Sequence, residues 1–337
     1  MHHLFHLPTI IAVLTLTANA QSFPSQPLLQ PLPLLIWHGL GDHHDSSGMH
    51  SIGALAQQIH PGTHVHYIRL AESGTDDRTA SFFGNVSEQI AQVCKSVLAD
   101  PEVKAVRGRV DAVGFSQGGQ FLRGLVQTCG AGLNVRSLVT WGSQHNGIVE
   151  FRGRECGRWD LVCRGAMGWL KGNVWAPYVQ GRVVPAQYFR PVGGGKEYLE
   201  ASGWLAEANN ERVGERKEVY AERLARLDRF VMYVFQDDET VVPPESGWFA
   251  EVKNVSVPRG EQGREVVPLR ERSGLYGEDW LGLRKLDKKG GLVFREVPGK
   301  HMELREKDLV EAFREFFGPE REEQRWDKLG QEVLSGT

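Results

Sequence analysis

The stretch that most constrains this chain is Gly114-Phe115-Ser116-Gln117-Gly118-Gly119, set between the strand-like segment Val110 to Val113 and a helical apolar pattern from Gln117 to Gln127. A serine with glycines two residues to either side, placed between a strand and a helix, is the G-x-S-x-G pattern in the context that makes it informative. Such a turn imposes strained backbone angles on the serine, and the glycines remove side chains that would collide with it. It also aims the helix N-terminus at the serine oxygen, so backbone N–H groups and the helix dipole face any negative charge that develops there. Without its context the pentapeptide means little, because a chain with 39 glycines can produce it by accident. In context, Ser116 is the candidate nucleophile.

The rest of the chain continues the same alternation. Leu34 to Trp37 is a continuous apolar run ending in Gly39 and Gly41, as expected of a buried strand in a parallel sheet. Ile52, Leu55 and Ile59 recur at helical spacing, His64 to Ile68 reads as a strand, and Val86 to Leu98 reads as a helix. Ser137 to Trp141 is strand-like, Tyr220, Leu224, Leu227 and Val231 suggest a helix, Phe230 to Phe235 and Leu292 to Phe294 suggest strands, and Leu309, Ala312, Phe313 and Phe316 suggest a last helix ending at Gly318-Pro319. This is βαβ grammar, which predicts an α/β fold: a mostly parallel central sheet with helices on both faces. The rhythm lapses after His145. From there to about Val184 a stretch rich in Gly and Arg, with Trp159, Trp169 and Trp175, predicts either a satellite core or the apolar lining of a ligand cleft, with Trp169, Trp175 and Ile148 as lining candidates.

A serine nucleophile needs a base and an orienting acid, and in this architecture the chain order is Ser, then Asp or Glu, then His. Two histidines follow Ser116, and no acidic residue separates it from His145, so the order selects His301 in the loop Val297 to Met302, where a mobile turn could swing an imidazole over the sheet. Asp237 and Asp238 stand directly after the strand Phe230 to Phe235, whereas Asp160, Asp228, Asp279 and Asp287 do not; spacing leaves the choice between Asp237 and Asp238 open. Trp37-His38-Gly39-Leu40-Gly41-Asp42 also follows a strand. Its small residues let the backbone approach a reacting carbonyl, so the N–H groups of Leu40 and Gln117 are the expected oxyanion-binding pair, and His38, which precedes the serine, reads as a structural histidine.

Charge and composition narrow the partners. With 39 basic and 42 acidic residues the formal net charge is −3, so no global field favours nucleic acid. The apolar stretch Ile10 to Leu16 is far short of the roughly 20 residues a membrane-crossing helix needs, and with Ala18-Asn19-Ala20 behind it residues 1–20 read as a secretory signal peptide followed by a linker, 21–31. Four cysteines remain after such a signal; there is no CxxC, which argues against zinc, and Cys94–Cys129 and Cys156–Cys163 are the expected disulfides. Asn85 and Asn254 occupy N-x-S sequons and are candidate glycosylation sites. A charged tail, 318–337, closes the chain after one domain spanning 32–317.

The motifs together resemble the lysosomal palmitoyl-protein thioesterases. The family's Phe-Ser-Gln-Gly-Gly-Gln-Phe-Leu-Arg run appears within Val113 to Arg123, its Ile-Trp-His-Gly-x-Gly-Asp as Ile36 to Asp42, and further matches lie at Gln144-His145-x-Gly147, Trp248-Phe249, Pro268-Leu269, Leu275-Tyr276, Leu281 to Leu283 and Leu292 to Phe294. Similarity runs from about Leu32 to Phe317. It implies an α/β-hydrolase fold with a lid at about 146–225, Ser116 as nucleophile, His301 as base and Asp238 as acid, and no metal or cofactor. The two disulfides also match the family's. Where the family has adjacent cysteines after Gly-Asp, this chain has His43-His44, which implies the loss of a third disulfide and a less rigid loop over the oxyanion site. The implied substrates are S-palmitoylated proteins or peptides and long-chain acyl thioesters, met in the lysosome, vacuole or extracellular space. A secreted lipase or carboxylesterase, or a non-catalytic acyl-binding protein on the same scaffold, are the rival readings; oligomeric state is not legible.

Overall fold

A computed structural model describes residues 30–130, 132–150, 168, 170–256 and 262–319. The signal-peptide segment, most of the linker, Trp159, Trp169, the Cys156–Cys163 pair and nearly all of the C-terminal tail lie outside the described residues.

Six strands form one sheet: β1 (Leu34–Trp37), β2 (Val65–Tyr67), β3 (Arg109–Phe115), β4 (Asn134–Trp141), β5 (Arg229–Phe235) and, last in sequence, β8 (Leu292–Val297), in the order β2-β1-β3-β4-β5-β8. Every neighbouring pair is parallel. A separate antiparallel pair joins β6 (Glu251–Ser256) to β7 (Gln262–Val267). The helices that cover the sheet are α1 (Ser47–Ile59), α2 (Gly74–Phe82), α3 (Val86–Ala99), α4 (Pro101–Ala105), α5 (Gln117–Thr128), α6 (Glu218–Arg226) and α7 (Glu306–Phe316).

The alternation of side chains along the strands divides the core into two layers. Leu34, Ile36, Val113, Phe115, Val139, Trp141, Val231 and Phe235 face α1 and α7, meeting Met49, Ile52, Leu309, Phe313 and Phe316. Leu35, Trp37, Ala112, Leu138, Phe230 and Met232 face the other way, toward Ile90 and Val97 of α3, Phe121 and Leu125 of α5 and Leu224 of α6. The inner strands β1, β3, β4 and β5 are buried on both faces, and in β1 and β5 this leaves unbroken apolar runs in the sequence. The Cys94–Cys129 disulfide joins α3 to the residue that ends α5. No helix among the described residues is long and apolar enough to cross a membrane.

Three details differ from the sequence reading. Val231 belongs to β5 and not to the preceding helix, which stops at Arg226. Helix α2 and the β6–β7 hairpin carry no apolar periodicity strong enough to announce them. The described part of the segment between β4 and α6 is built from short helical turns, among them Pro177–Gln180, Val184–Tyr188 and Lys196–Ala201.

Candidate active site

Strand β3 ends where α5 begins, and Ser116 makes the turn between them with φ 50° and ψ −121°. A non-glycine residue there is strained, and its amide is fixed by donating to the Trp141 carbonyl at 2.7 Å. The flanking glycines are required for close approach of backbones rather than for clearance around the serine itself. A Cβ on Gly114 would lie 2.4 Å from Gly119 Cα, and one on Gly118 would lie 2.4 Å from the carbonyl oxygens of both Trp37 and His38. The glycines thus let the first turn of α5 rest on the ends of β1 and β3, which brings the Gly39 turn to the nucleophile.

Two loops from the same sheet edge complete the constellation. His301 places Nε2 3.0 Å from Ser116 Oγ and Nδ1 2.7 Å from Asp238 Oδ2. The other Asp238 oxygen accepts the amides of Thr240 and Val241, both at 2.9 Å. Asp238 is buried while Asp237 is exposed and contributes only its backbone, donating from its amide to the Gly299 carbonyl. Geometry therefore separates the two aspartates that spacing could not. The loop bearing His301 is also tied down, through Asp237 to Gly299 and through the Lys300 amide to the Glu303 carboxylate at 2.9 Å.

The second arm of the site is the turn after β1. Gly39 packs so closely that a Cβ there would lie 3.3 Å from Ser116 Cβ, which brings the turn carrying Leu40 against the nucleophile, and Gln117, as the first residue of α5, has an amide with no intrahelical acceptor. Sequence reasoning missed what holds the turn and the Gln117 side chain in place. Ser81, near the end of α2, accepts from the Gly41 amide with its hydroxyl at 2.9 Å, and its carbonyl accepts from the Gln117 side chain at 3.0 Å. Tyr188 donates to the other end of that Gln117 amide at 3.1 Å.

Asp77, one turn earlier in α2 and fully buried, gathers the same turn from below. It accepts the Leu70 amide, the His44 amide and His44 Nδ1 at 2.7, 2.8 and 2.9 Å, and His38 Nε2 lies 3.1 Å away. Burial pushes the Asp77 carboxyl up, but the hydrogen bonds from His38, Leu70 and His44 outweigh it and hold the group well below the usual carboxylate range. His44 thereby supplies a tie to α2 where the resemblance implied a missing disulfide.

The remaining candidates are distributed as follows. His145 is wholly buried, stacks on Phe249 at 5.0 Å and is driven well below its ordinary pKa by burial and by the neighbouring Arg123 guanidinium, so it is a neutral core residue. Ile148 is buried, and half-buried Trp175 packs against Phe189 and Tyr198, so both contribute to apolar clusters. Asn85 caps α3 through the Glu88 amide, and Asn254 is exposed on β6.

A parallel sheet with a strained serine at its strand-to-helix turn, followed in chain order by an aspartate and a histidine in contact with each other, defines an α/β hydrolase. Residues 33–301 match the family model described as palmitoyl protein thioesterase. The chain belongs to that family and is a hydrolase of the thioesterase kind. It is 32% identical to palmitoyl-protein thioesterase 1 of Caenorhabditis elegans over 90% of this chain and 96% of that one. It is likewise 32% identical to a palmitoyl-protein thioesterase-dolichyl pyrophosphate phosphatase fusion of Schizosaccharomyces pombe, over 87% of this chain and 45% of the fusion. Palmitoyl-protein thioesterase 3 of Dictyostelium discoideum is 29% identical over 80% of this chain and 84% of its own length.

Proposed function

We propose that the chain releases long-chain fatty acids, palmitate among them, from thioesters on the cysteines of proteins or peptides and from acyl-CoA, with Ser116 as nucleophile, His301 as base and Asp238 as orienting acid. The observation that carries this reading is the bridge His301 makes between Ser116 and Asp238, at 3.0 and 2.7 Å, in a chain of this family. His301 Nε2 takes the hydroxyl proton as Ser116 Oγ attacks the thioester carbonyl. The Leu40 and Gln117 amides hold the oxyanion, a donor pair in which each member is worth about 2.7–4 kcal/mol. The C–S bond breaks and the thiol leaves with the proton from His301. Water, deprotonated by His301, then cleaves the acyl-serine, and the fatty acid departs as Ser116 regains its hydrogen. Asp238 keeps the imidazole in the productive tautomer throughout. A thiol of pKa about 8.5 is a good leaving group, so acid assistance matters less than it would for an amide.

The acyl chain would lie against exposed apolar residues, namely Leu40, Phe82, Phe83 and Tyr178, together with the inserted segment, which we assign as a lid. Phe82 contacts the Gly41 turn and Phe83 bridges to Val183, so these residues join the oxyanion turn to that segment. Cleavage of residues 1–20, glycosylation at Asn85 and Asn254, and delivery to a lysosome or vacuole accompany this reading, in keeping with lysosomal thioesterases among the relatives, such as one from Xenopus laevis.

The test compares hydrolysis of a palmitoylated peptide, palmitoyl-CoA and a triglyceride by the wild type and Ser116→Ala, with fluorophosphonate labelling of the serine. Preferential thioester turnover that vanishes with Ser116→Ala is expected. Faster triglyceride turnover would instead make the protein a lipase, and unlabelled wild type without turnover would make it a binding protein.

A further inference from the structure

We propose that His64, His66 and Asp100 form a zinc-binding site that clamps the edge strand of the sheet to the junction of α3 and α4. His66 lies in β2 and His64 immediately precedes it, two residues apart, so both imidazoles project to the same side of the strand. Asp100 stands between the two helices and divides its carboxylate. Oδ1 accepts the amides of Glu102 at 2.9 Å and Val103 at 3.4 Å, which fixes the group as the cap of α4. Oδ2 turns to the strand and meets His64 Nε2 at 3.0 Å and His66 Nδ1 at 2.6 Å. The three prospective ligand atoms all lie within 4.8 Å of one another.

Two imidazole nitrogens and one carboxylate oxygen are a donor set that zinc accepts, with bonds of about 2.0–2.2 Å and tetrahedral geometry. Such bonds imply ligand-to-ligand edges of roughly 3.3 Å, so the two nitrogens, 3.0 and 2.6 Å from Oδ2, need to move away from that oxygen by less than an ångström to admit the ion. Zinc would replace the protons that now hold the two rings on the carboxylate. The His64 side chain is 36% exposed, which opens a fourth coordination position to solvent. The amides on Oδ1 already do what an outer shell does in a metal site, orienting the ligating carboxylate from behind.

The Asp77 cluster shows why this arrangement is distinctive. There too a single carboxylate oxygen meets two histidines, but that same oxygen also accepts the His44 amide, the other accepts the Leu70 amide, and the carboxylate is shut off from solvent. It offers no opening to solvent, whereas Asp100 is partly exposed beside the half-open His64. The clamp would also be separate from the catalytic constellation: the His64 carbonyl pairs with the Leu34 amide at the start of β1, and the oxyanion turn follows the other end of that strand, at least about 10 Å along it. The want of a CxxC in the sequence bears on thiolate sites only, and a His-x-His on a strand is the signal that points here.

The experiment titrates Zn²⁺ into the EDTA-treated mature protein at pH 7.5, where ligation requires neutral imidazole, by calorimetry and by melting temperature. One equivalent is expected to bind and to raise the melting temperature. His64→Gln and His66→Gln should each weaken binding by more than tenfold, while His50→Gln, an exposed histidine on α1, should leave it unchanged. Should the variants fail to fold, the zinc-edge X-ray absorption of the loaded wild type decides, two imidazoles and one carboxylate in the ion's shell being expected. Absence of saturable binding below millimolar zinc, equal binding in the His64→Gln/His66→Gln double variant, or a shell without imidazole would each overturn the proposal.

Discussion

His301 reaches back across 63 residues to Asp238, and the 2.7 Å contact between them is matched on the far side of the carboxylate by two backbone amides. Asp238 is thus a fixed acceptor whose free oxygen points one way, at Nδ1. Replacing it by Asn would present either an N–H donor to a nitrogen that must itself donate, or a weaker neutral acceptor. Asp238→Asn is expected to lower kcat for a palmitoyl thioester by about 10⁴-fold, the cost of the wrong imidazole tautomer, whereas Asp237→Asn changes it less than about twofold because that side chain faces solvent. Steady-state kinetics on both variants check this, and equal losses would remove the distinction between the neighbours.

The two amides proposed to hold the oxyanion belong to different elements, and Ser81 is a group that touches both supports. Its hydroxyl holds the Gly41 turn and its carbonyl holds the Gln117 side chain, which Tyr188 clamps from the other end. Ser81→Ala removes the first tie, so kcat should fall by about tenfold, less than the 10²–10³-fold of losing an oxyanion donor outright. Tyr188→Phe deletes one hydrogen bond, worth about 1 kcal/mol, and kcat should fall by up to about fivefold. In both variants KM should move little, since the oxyanion forms only after binding. A loss confined to KM would place these residues in substrate binding instead.

The parts of this site that could be read from sequence are those whose neighbours are buried strands. Ser116 and Asp238 follow β3 and β5, inner strands covered on both faces whose apolar residues mark where the sheet's edge must be, and His301 follows the edge strand β8, announced by its apolar start Leu292 to Phe294. The parts that could not be read sit on α2. Gly74-Thr-Asp-Asp-Arg-Thr-Ala-Ser-Phe82 has no apolar stripe, because the face it turns inward carries Asp77 and Ser81 and is anchored by hydrogen bonds. Its sole local signal was Ser73, whose side chain caps the helix by accepting the Asp76 amide. The choice between Asp237 and Asp238 likewise depended on burial, which spacing does not encode.

The Cys94–Cys129 bridge closes a loop spanning 35 residues between α3 and the end of α5. That loop contains β3 and the whole serine turn. Chain-entropy arguments give about 4 kcal/mol for a loop of this size. The double variant Cys94→Ser/Cys129→Ser should therefore unfold at clearly lower denaturant under non-reducing conditions, measured by equilibrium urea titration, while keeping its kcat wherever it remains folded. An unchanged midpoint would mean that packing between α3 and α5 suffices without the bond.

Asp77 makes stability depend on pH in a direction that can be worked out. Burial raises its pKa and the hydrogen bonds from His38, Leu70 and His44 lower it further than burial raises it, leaving the folded-state value below that of an unfolded aspartate, about 3.9. A group depressed in this way stabilises the fold fully above the unfolded value and loses that contribution as pH falls from there toward the folded value. The gap in melting temperature between wild type and Asp77→Asn should accordingly be wide and level above about pH 5, then narrow below pH 4. Melting curves between pH 3 and pH 7 measure it. A gap that widened on acidification would mean that Asp77 is held protonated in the fold, and that the turn carrying Gly39 and Leu40 is braced by something other than its charge.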